Sequence, residues 1–260
     1  MSHAVRGLGI DVGSTTAKMV AVGSNAEMIW HWLEPAEPRV EEQVARFLDK
    51  AAAALGPLSG IPSVATGYGR GLVPAMRRVT EITCHARGVY REFAVGVTLV
   101  DIGGQDSKVI RVGSRGETAD FSMNDKCAAG TGRFLEVIAQ RLAVPLERLG
   151  PIALGTSEEV AISSTCTVFA ESEVISLIAR GVAVGAILRG LHRALVKRVV
   201  AMIRTVGLVA PLVLSGGGAC NPAICQLLAE ETGMAVHLPR HPQLVGAHGA
   251  ALIALEKDAD

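Results

Sequence analysis

Asp11-Val-Gly-Ser-Thr-Thr-Ala-Lys18 and Asp101-Ile-Gly-Gly-Gln-Asp-Ser-Lys108 align without a gap, each reading Asp, branched apolar residue, Gly, four residues, Lys. Each motif ends one apolar run (7–12 and 97–102) and opens another (17–22 and 108–112), so each reads as the turn of a β-hairpin. A third strand follows both hairpins, at 27–33 and 117–123. Beyond the first hairpin, helical spacing covers 38–55 and ends at Gly56, with a strand near 63–66 and a helix near 84–93. Beyond the second, helical patterns cover 132–143, 168–180, 182–206, 222–232 and 244–257, with strands near 212–214 and 236–238. Two β-first halves closed by helices predict an α/β duplication, 1–95 and 96–260, with a cleft between the halves. The C-terminal helix is expected to pack back towards the first half.

The 260 residues carry 25 Lys and Arg against 25 Asp and Glu, a formal net charge of zero, which excludes a broad electrostatic attraction for nucleic acid or an anionic membrane. With 49% hydrophobic and 19% charged residues the chain has a core to bury and is far from disordered composition. The first residues run into Gly7 without a basic segment and apolar core, so no secretory signal is expected and the predicted location is cytoplasmic. The most membrane-like stretch, 181–203, is interrupted by Arg189, His192, Arg193, Lys197 and Arg198 and reads as a long amphipathic helix. Its Arg189, Arg193 and Lys197, at i, i+4 and i+8, read as a solvated face.

Each hairpin turn concentrates backbone N–H groups and polar side chains at one point: Gly13, Ser14, Thr15 and Thr16 in the first, Gly103, Gly104, Gln105 and Asp106 in the second. One such turn is ordinary hairpin chemistry. Two in register, each preceded by an Asp, point to a clamp on nucleotide phosphates. Asp11 and Asp101 then hold Mg2+ or its waters, or orient an attacking water, and Lys18 counts with the nucleotide contacts. A third glycine cluster, Ser215-Gly216-Gly217-Gly218, lies between the strand at 212–214 and Asn221, a good helix N-cap, and together with Asn221 is assigned the base-and-ribose side. No GxxxxGK[ST] or GxGxxG occurs, so P-loop and Rossmann readings lack their signatures.

These three elements resemble the phosphate-one, phosphate-two and adenosine motifs of the actin, hexokinase and Hsp70 ATPase superfamily. That resemblance implies two RNase H-like domains around an ATP cleft. The cysteines choose the branch. Five are present, Cys84, Cys127, Cys166, Cys220 and Cys225, an odd count with no CxxC pair, so neither a disulfide framework nor a self-contained zinc or ferredoxin site is indicated. Cys127, in Asn124-Asp-Lys-Cys-Ala-Ala-Gly-Thr-Gly, and Cys166, in Ile162-Ser-Ser-Thr-Cys-Thr-Val-Phe, each lie at or just before a predicted helix N-terminus, where free N–H groups and the dipole stabilise a thiolate or anionic cluster. Two thiolates are too few for a cubane that takes four, and a symmetric dimer supplies the other two.

Both segments closely resemble the ATP-dependent activators of 2-hydroxyacyl-CoA dehydratases and the ATP-hydrolysing subunits of benzoyl-CoA reductases. Ala65-Thr-Gly-Tyr-Gly-Arg70, Thr83-Cys-His-Ala86 and Gly246-Ala-His-Gly-Ala-Ala251 extend the resemblance over nearly the whole chain. It implies a homodimer with one bridging 4Fe-4S cluster held by Cys127 and Cys166. Such a dimer takes an electron from ferredoxin or flavodoxin and passes it, with hydrolysis of ATP to ADP, to a dehydratase carrying its own iron–sulfur cluster. Nucleotide contacts carried over are Val12 to Thr16, Gln105, Gly217 and Gln243. Competing readings are a subunit of a benzoyl-CoA-reductase-type enzyme, a small-molecule kinase of the same superfamily, and a non-enzymatic regulator. Cys84, Cys220 and Cys225 are assigned packing roles, and His85 a core hydrogen bond.

Overall fold

The computed structural model describes residues 4–163 and 166–256. In chain order the elements are β1 (Gly7–Val12), β2 (Thr16–Val22), β3 (Met28–Pro35), α1 (Val40–Leu55), β4 (Ser63–Thr66), β5 (Arg77–Arg78), α2 (Glu81–Phe93), β6 (Val97–Ile102), β7 (Ser107–Val112) and β8 (Thr118–Asn124). They continue with α3 (Gly132–Leu142), α4 (Leu146–Leu154), α5 (Thr167–Ala179), α6 (Val184–Val206), β9 (Leu212–Ser215), α7 (Pro222–Thr232), β10 (Val236–His237) and α8 (Val245–Ala254). The chain divides into two compact units. Unit one is Met1–Gly96, Val112–Thr118 and Gln243–Asp260, and unit two is Val97–Arg111 and Ala119–Pro242.

Unit one is built on a sheet of order β3-β2-β1-β4-β5, antiparallel at β1–β2 and β2–β3, parallel at β1–β4 and β4–β5. β1 reads GLGIDV and is buried throughout, because both faces of the sheet are covered. Val44, Phe47 and Ala51 of α1 pack on one set of strand residues. Ala247 and Ala251 of α8 pack on Val20 and Val22. Helices α2 and α8 approach so closely that a Cβ on Gly88 would overlap the Val245 carbonyl oxygen, and one on Gly249 the Cys84 carbonyl oxygen. The stretches 83–86 and 246–251, conspicuous in the sequence, thus form a helix–helix seam.

Unit two repeats the plan with the order β10-β9-β6-β7-β8 and parallel pairs β6–β9 and β9–β10. Its core joins Val100, Ile102, Leu212 and Leu214 of the sheet to Phe134 and Ile138 of α3, Leu149 of α4, and Leu188, Leu191 and Leu195 of α6. The polar stripe on α6 is not a solvated face at two of its three positions. Arg193 reaches Glu159 (3.1 Å), Glu230 (2.8 Å) and Glu231 (3.2 Å), and Arg189 pairs with Glu159 (3.6 Å). These pairs tie α6 to α7 and to the segment after α4; Lys197 alone is exposed. Helix α4, absent from the sequence reading, contains Pro151 and also Gly150, at which a Cβ would overlap the Asn221 side chain that caps α7. Among the described residues no helix is long and apolar enough to cross a membrane.

Candidate functional site

The two turns have the same local geometry. Gly13 N–H donates to Thr16 O (3.0 Å) and Gly103 N–H to Asp106 O (2.9 Å), closing equivalent four-residue turns. Asp11 stands opposite Lys18 across β1–β2, with its Oδ2 3.2 Å from the amino group. Asp101 lies 3.6 Å from the Lys108 amino group, and Asp106, the residue matching Thr16, lies 2.6 Å from it. Lys108 is fully buried, whereas Lys18 keeps some contact with solvent. The first turn therefore keeps its cation near the surface, and the second locks its cation between two carboxylates. Gln105 is exposed at the tip of the second turn, with Gly104 half-buried beside it.

The duplication reaches further than the hairpins. Thr66 ends β4 opposite Asp11, and Ser215 ends β9 opposite Asp101, donating its hydroxyl to Asp101 Oδ1 at 2.8 Å. Each strand is followed by a glycine with positive φ, Gly67 (+89°) and Gly216 (+78°), opening a single 3-10 turn. A Cβ on Gly67 would overlap Val12 O, and one on Gly216 would overlap Ile102 O and meet Asp101 Oδ1 at 2.9 Å. Two residues on, Gly69 and Gly218 lie flat against Val12 and Ile102. Thr66-Gly-Tyr-Gly69 is thus the counterpart of Ser215-Gly-Gly-Gly218. The shared hydroxyl-Gly-x-Gly spacing was the available signal, hidden by the non-glycine residue between.

Gly217 and Gly218 open the 3-10 turn assigned above to the base-and-ribose side, and Gly216 N–H is held by Pro242 O at 3.0 Å; Gln243 follows Pro242 in the chain. Asn221 is spent on structure. Its Oδ1 accepts from the N–H groups of Ala223 (3.0 Å) and Ile224 (3.4 Å), and its Nδ2 donates to His192 Nε2 (2.9 Å). His192 Nδ1 in turn donates to Leu188 O (2.7 Å), a pattern that fits the neutral ring, and burial holds its pKa below the ordinary histidine value.

Cys166 is the N-cap of α5, where the sequence placed it. Cys127 lies five residues ahead of α3, whose N-cap is Thr131. The first N–H groups of α3 are already used: Gly132 donates to Gly103 O (2.9 Å) and Arg133 to Gly104 O (2.7 Å). So the dipole expectation fits Cys166, while the Cys127 loop is shaped by Asn124, whose Nδ2 donates to Cys127 O (2.9 Å) and Ala129 O (3.1 Å). The bonds from Gly132 and Arg133 also staple the second hairpin turn to the helix that follows Cys127. Cys127 is exposed and Cys166 half-buried, and both lie in unit two with Arg198 of α6. Burial lowers the Arg198 pKa from the ordinary arginine value, and the two cysteines oppose that fall. Accessible, soft sulfur donors fit an iron–sulfur group, and one chain offers two of the four thiolates that a cubane takes. Ser164 and Thr165 of the Cys166 segment lie outside the described residues.

The remaining cysteines differ. Cys84 is buried beneath Thr66 with its thiol pKa pushed up to about 12, chiefly by burial, so it stays protonated. Burial also raises the Cys225 pKa, and its Sγ contacts Ala219 O at 3.8 Å; Cys220 is exposed. His85 Nδ1 bonds Glu81 O at 2.8 Å, one turn back on its own helix.

Two units of this design, each a five-stranded sheet with an Asp-turn-Lys hairpin, define a protein of the actin-like ATPase fold. The chain belongs to the BadF/BadG/BcrA/BcrD ATPase family, whose sequence pattern its residues 8–254 match. It is similar to the activator of the 2-hydroxyisocaproyl-CoA dehydratase from Clostridium difficile, solved with bound ADPNP (39% identity, TM-score 0.89, covering 96% of this chain and 94% of that one). It is likewise similar to component A of the (R)-2-hydroxyglutaryl-CoA dehydratase of Acidaminococcus fermentans (39% identity, TM-score 0.92, covering 99% and 100%). A benzoyl-CoA reductase subunit of Thauera aromatica is more distant, 30% identical over 94% of this chain and 91% of that protein.

Proposed function

We propose that this chain is an ATP-hydrolysing iron–sulfur activator that passes a low-potential electron to a 2-hydroxyacyl-CoA dehydratase in the cytoplasm. The observation that carries this reading is the joining of two sites in unit two. The carbonyls of the second hairpin turn, Gly103 and Gly104, accept from the first N–H groups of the helix behind Cys127, and Cys127 and Cys166 belong to the same unit. The 39% identity to two dehydratase activators favours this over a benzoyl-CoA reductase subunit at 30%.

In this reading the N–H groups of Gly13 to Thr16 and of Gly103 to Asp106 receive phosphate oxygens, with Lys18 as a further cation. Asp11 and Asp101 orient the waters of Mg2+, which supplies charge neutralisation at the phosphates. Gln105, exposed at its turn, positions the attacking water. Gly216 to Gly218 let the nucleotide lie close to the backbone, Gln243 joins them, and Asn221 acts by capping α7. Cys127 and Cys166 from each of two copies would hold one 4Fe-4S cluster, which would supply one-electron chemistry with ferredoxin or flavodoxin as the donor. A change of phosphate state at Gly103 and Gly104 moves the α3 N-terminus through the two hydrogen bonds it shares with them.

The test mixes the anaerobically prepared chain, reduced with a low-potential donor, with a purified 2-hydroxyacyl-CoA dehydratase component and its substrate. Dehydration that requires both ATP and this chain, and is absent with Gln105→Ala, is expected. ATP hydrolysis with no activation of any such component would contradict the proposal and favour a small-molecule kinase of the same fold.

A further inference from the structure

Arg198 is the interruption of the apolar run on α6 that the nucleotide chemistry leaves unused. Its position is specific. Gly130, in the Cys127 loop, has φ of +95°, and a Cβ there would sit 3.6 Å from both Cβ and Cδ of Arg198. The loop therefore lies flat along the arginine stem. Asn124 Nδ2, 3.6 Å from the same point, fixes the loop by its bonds to Cys127 O and Ala129 O. Arg198 Nη1 reaches Ala194 O on its own helix at 3.5 Å, turning the guanidinium back along α6. The nearest charges in sequence to Cys127 are Asp125 and Lys126, both exposed and opposite in sign, so they largely cancel. Arg198 is half-buried, where a charge is screened less by water.

We propose that Arg198 is a positioning cation of the cysteine site: its guanidinium, held on α6 under the Cys127 loop, offsets the negative charge gained when the cysteine-held cluster takes up an electron, and so raises the reduction potential. The inference rests on the iron–sulfur reading above. The balance is simple: a low-potential one-electron donor gives up one electron, the site becomes more negative by one charge, and no bond is made or broken. The Cys127 loop meets the arginine stem at Gly130, and a two-fold dimer carries two such arginines. The glycine at 130 is explained by its φ of +95°, since a Cβ there would meet the arginine stem only at ordinary contact distance.

The test compares wild type, Arg198→Met and Arg198→Lys, each reconstituted anaerobically with ferrous iron and sulfide and titrated with titanium(III) citrate while EPR follows the reduced signal. Arg198→Met keeps the stem and loses the charge. Its reduction equilibrium constant should fall at least about tenfold, a shift of about 59 mV to more negative potential for one electron. Arg198→Lys should recover most of that shift. Retention of iron by the lysine variant with loss from the methionine variant also supports the cation. An unchanged potential in Arg198→Met, or equal effects of Met and Lys, including loss of iron from both, would overturn it and leave a packing role. A wild-type protein that takes up no iron fails at the earlier step, refuting the iron–sulfur reading and this inference together.

Discussion

Replacing Lys108 by Met tests the electrostatic organisation of the second hairpin turn. Methionine matches the buried stem in volume and removes the ammonium, which lies 2.6 Å from Asp106 and 3.6 Å from Asp101. All three side chains are at most 5% exposed, so water cannot replace the lost cation. Removing one partner from such a buried set costs about 3–5 kcal/mol, because the remaining charges are left uncompensated. For a chain of this length about 2–4 °C of Tm is lost per kcal/mol, so Tm should drop by roughly 6 to 20 °C. Asp101 keeps the Ser215 hydroxyl, so the damage should centre on Asp106 and the turn it closes. The double variant Asp106→Asn, Lys108→Met should recover part of the loss, having one orphan charge fewer. Thermal and urea unfolding without nucleotide measure both. Lys18→Met should cost less, since it removes one ion pair where Lys108→Met removes two, and the Lys18 amino group keeps some contact with solvent. A Tm for Lys108→Met within about 2 °C of wild type would refute the view that this cation holds the turn together.

Three other outcomes are expected. Gly249→Ala places a methyl group on the Cys84 carbonyl across the α2–α8 seam and should lower stability by about 1–3 kcal/mol in urea unfolding, while Gly233→Ala, at an open helix end, should show only the cost of its positive φ. The Cys84 thiol, with its pKa pushed up to about 12, should resist iodoacetamide in the native protein at pH 8 and react only on unfolding, as mass mapping would show. His192 stays neutral in the fold below the pH at which the unfolded chain takes up its proton, so stability falls as pH drops below about 6.5. The excess slope of wild type over His192→Asn in unfolding free energy should be positive with rising pH, at most about 1.4 kcal/mol per pH unit.

The gapless repeat of Asp, apolar, Gly and Lys was legible because a hairpin turn and its flanking strands are local, and the strands 63–66 and 212–214 were read nearly to the residue. The chemistry between distant segments was not. Lys108 sits in the repeat, yet its burial between two carboxylates follows from the sheet closing over it. Arg189 and Arg193 looked solvated because their partners, Glu159, Glu230 and Glu231, lie about 30 residues or more away along the chain. Helix α4 was hidden by Gly150 and Pro151, residues that argue against a helix interior, though Gly150 here serves the close approach of the α7 cap. Cys127 carried a recognisable sequence, but its distance from the α3 N-terminus became visible only when that terminus was found bonded to Gly103 and Gly104.

The most direct measurement of the central claim is the oligomeric state together with iron and acid-labile sulfide per chain, on anaerobically purified wild type, Cys127→Ala and Cys166→Ala. About four irons and four sulfides per two chains, with an EPR signal on one-electron reduction and loss of both in either variant, is the predicted result. A wild-type protein that remains monomeric and free of iron after anaerobic reconstitution, while still hydrolysing ATP, would contradict it.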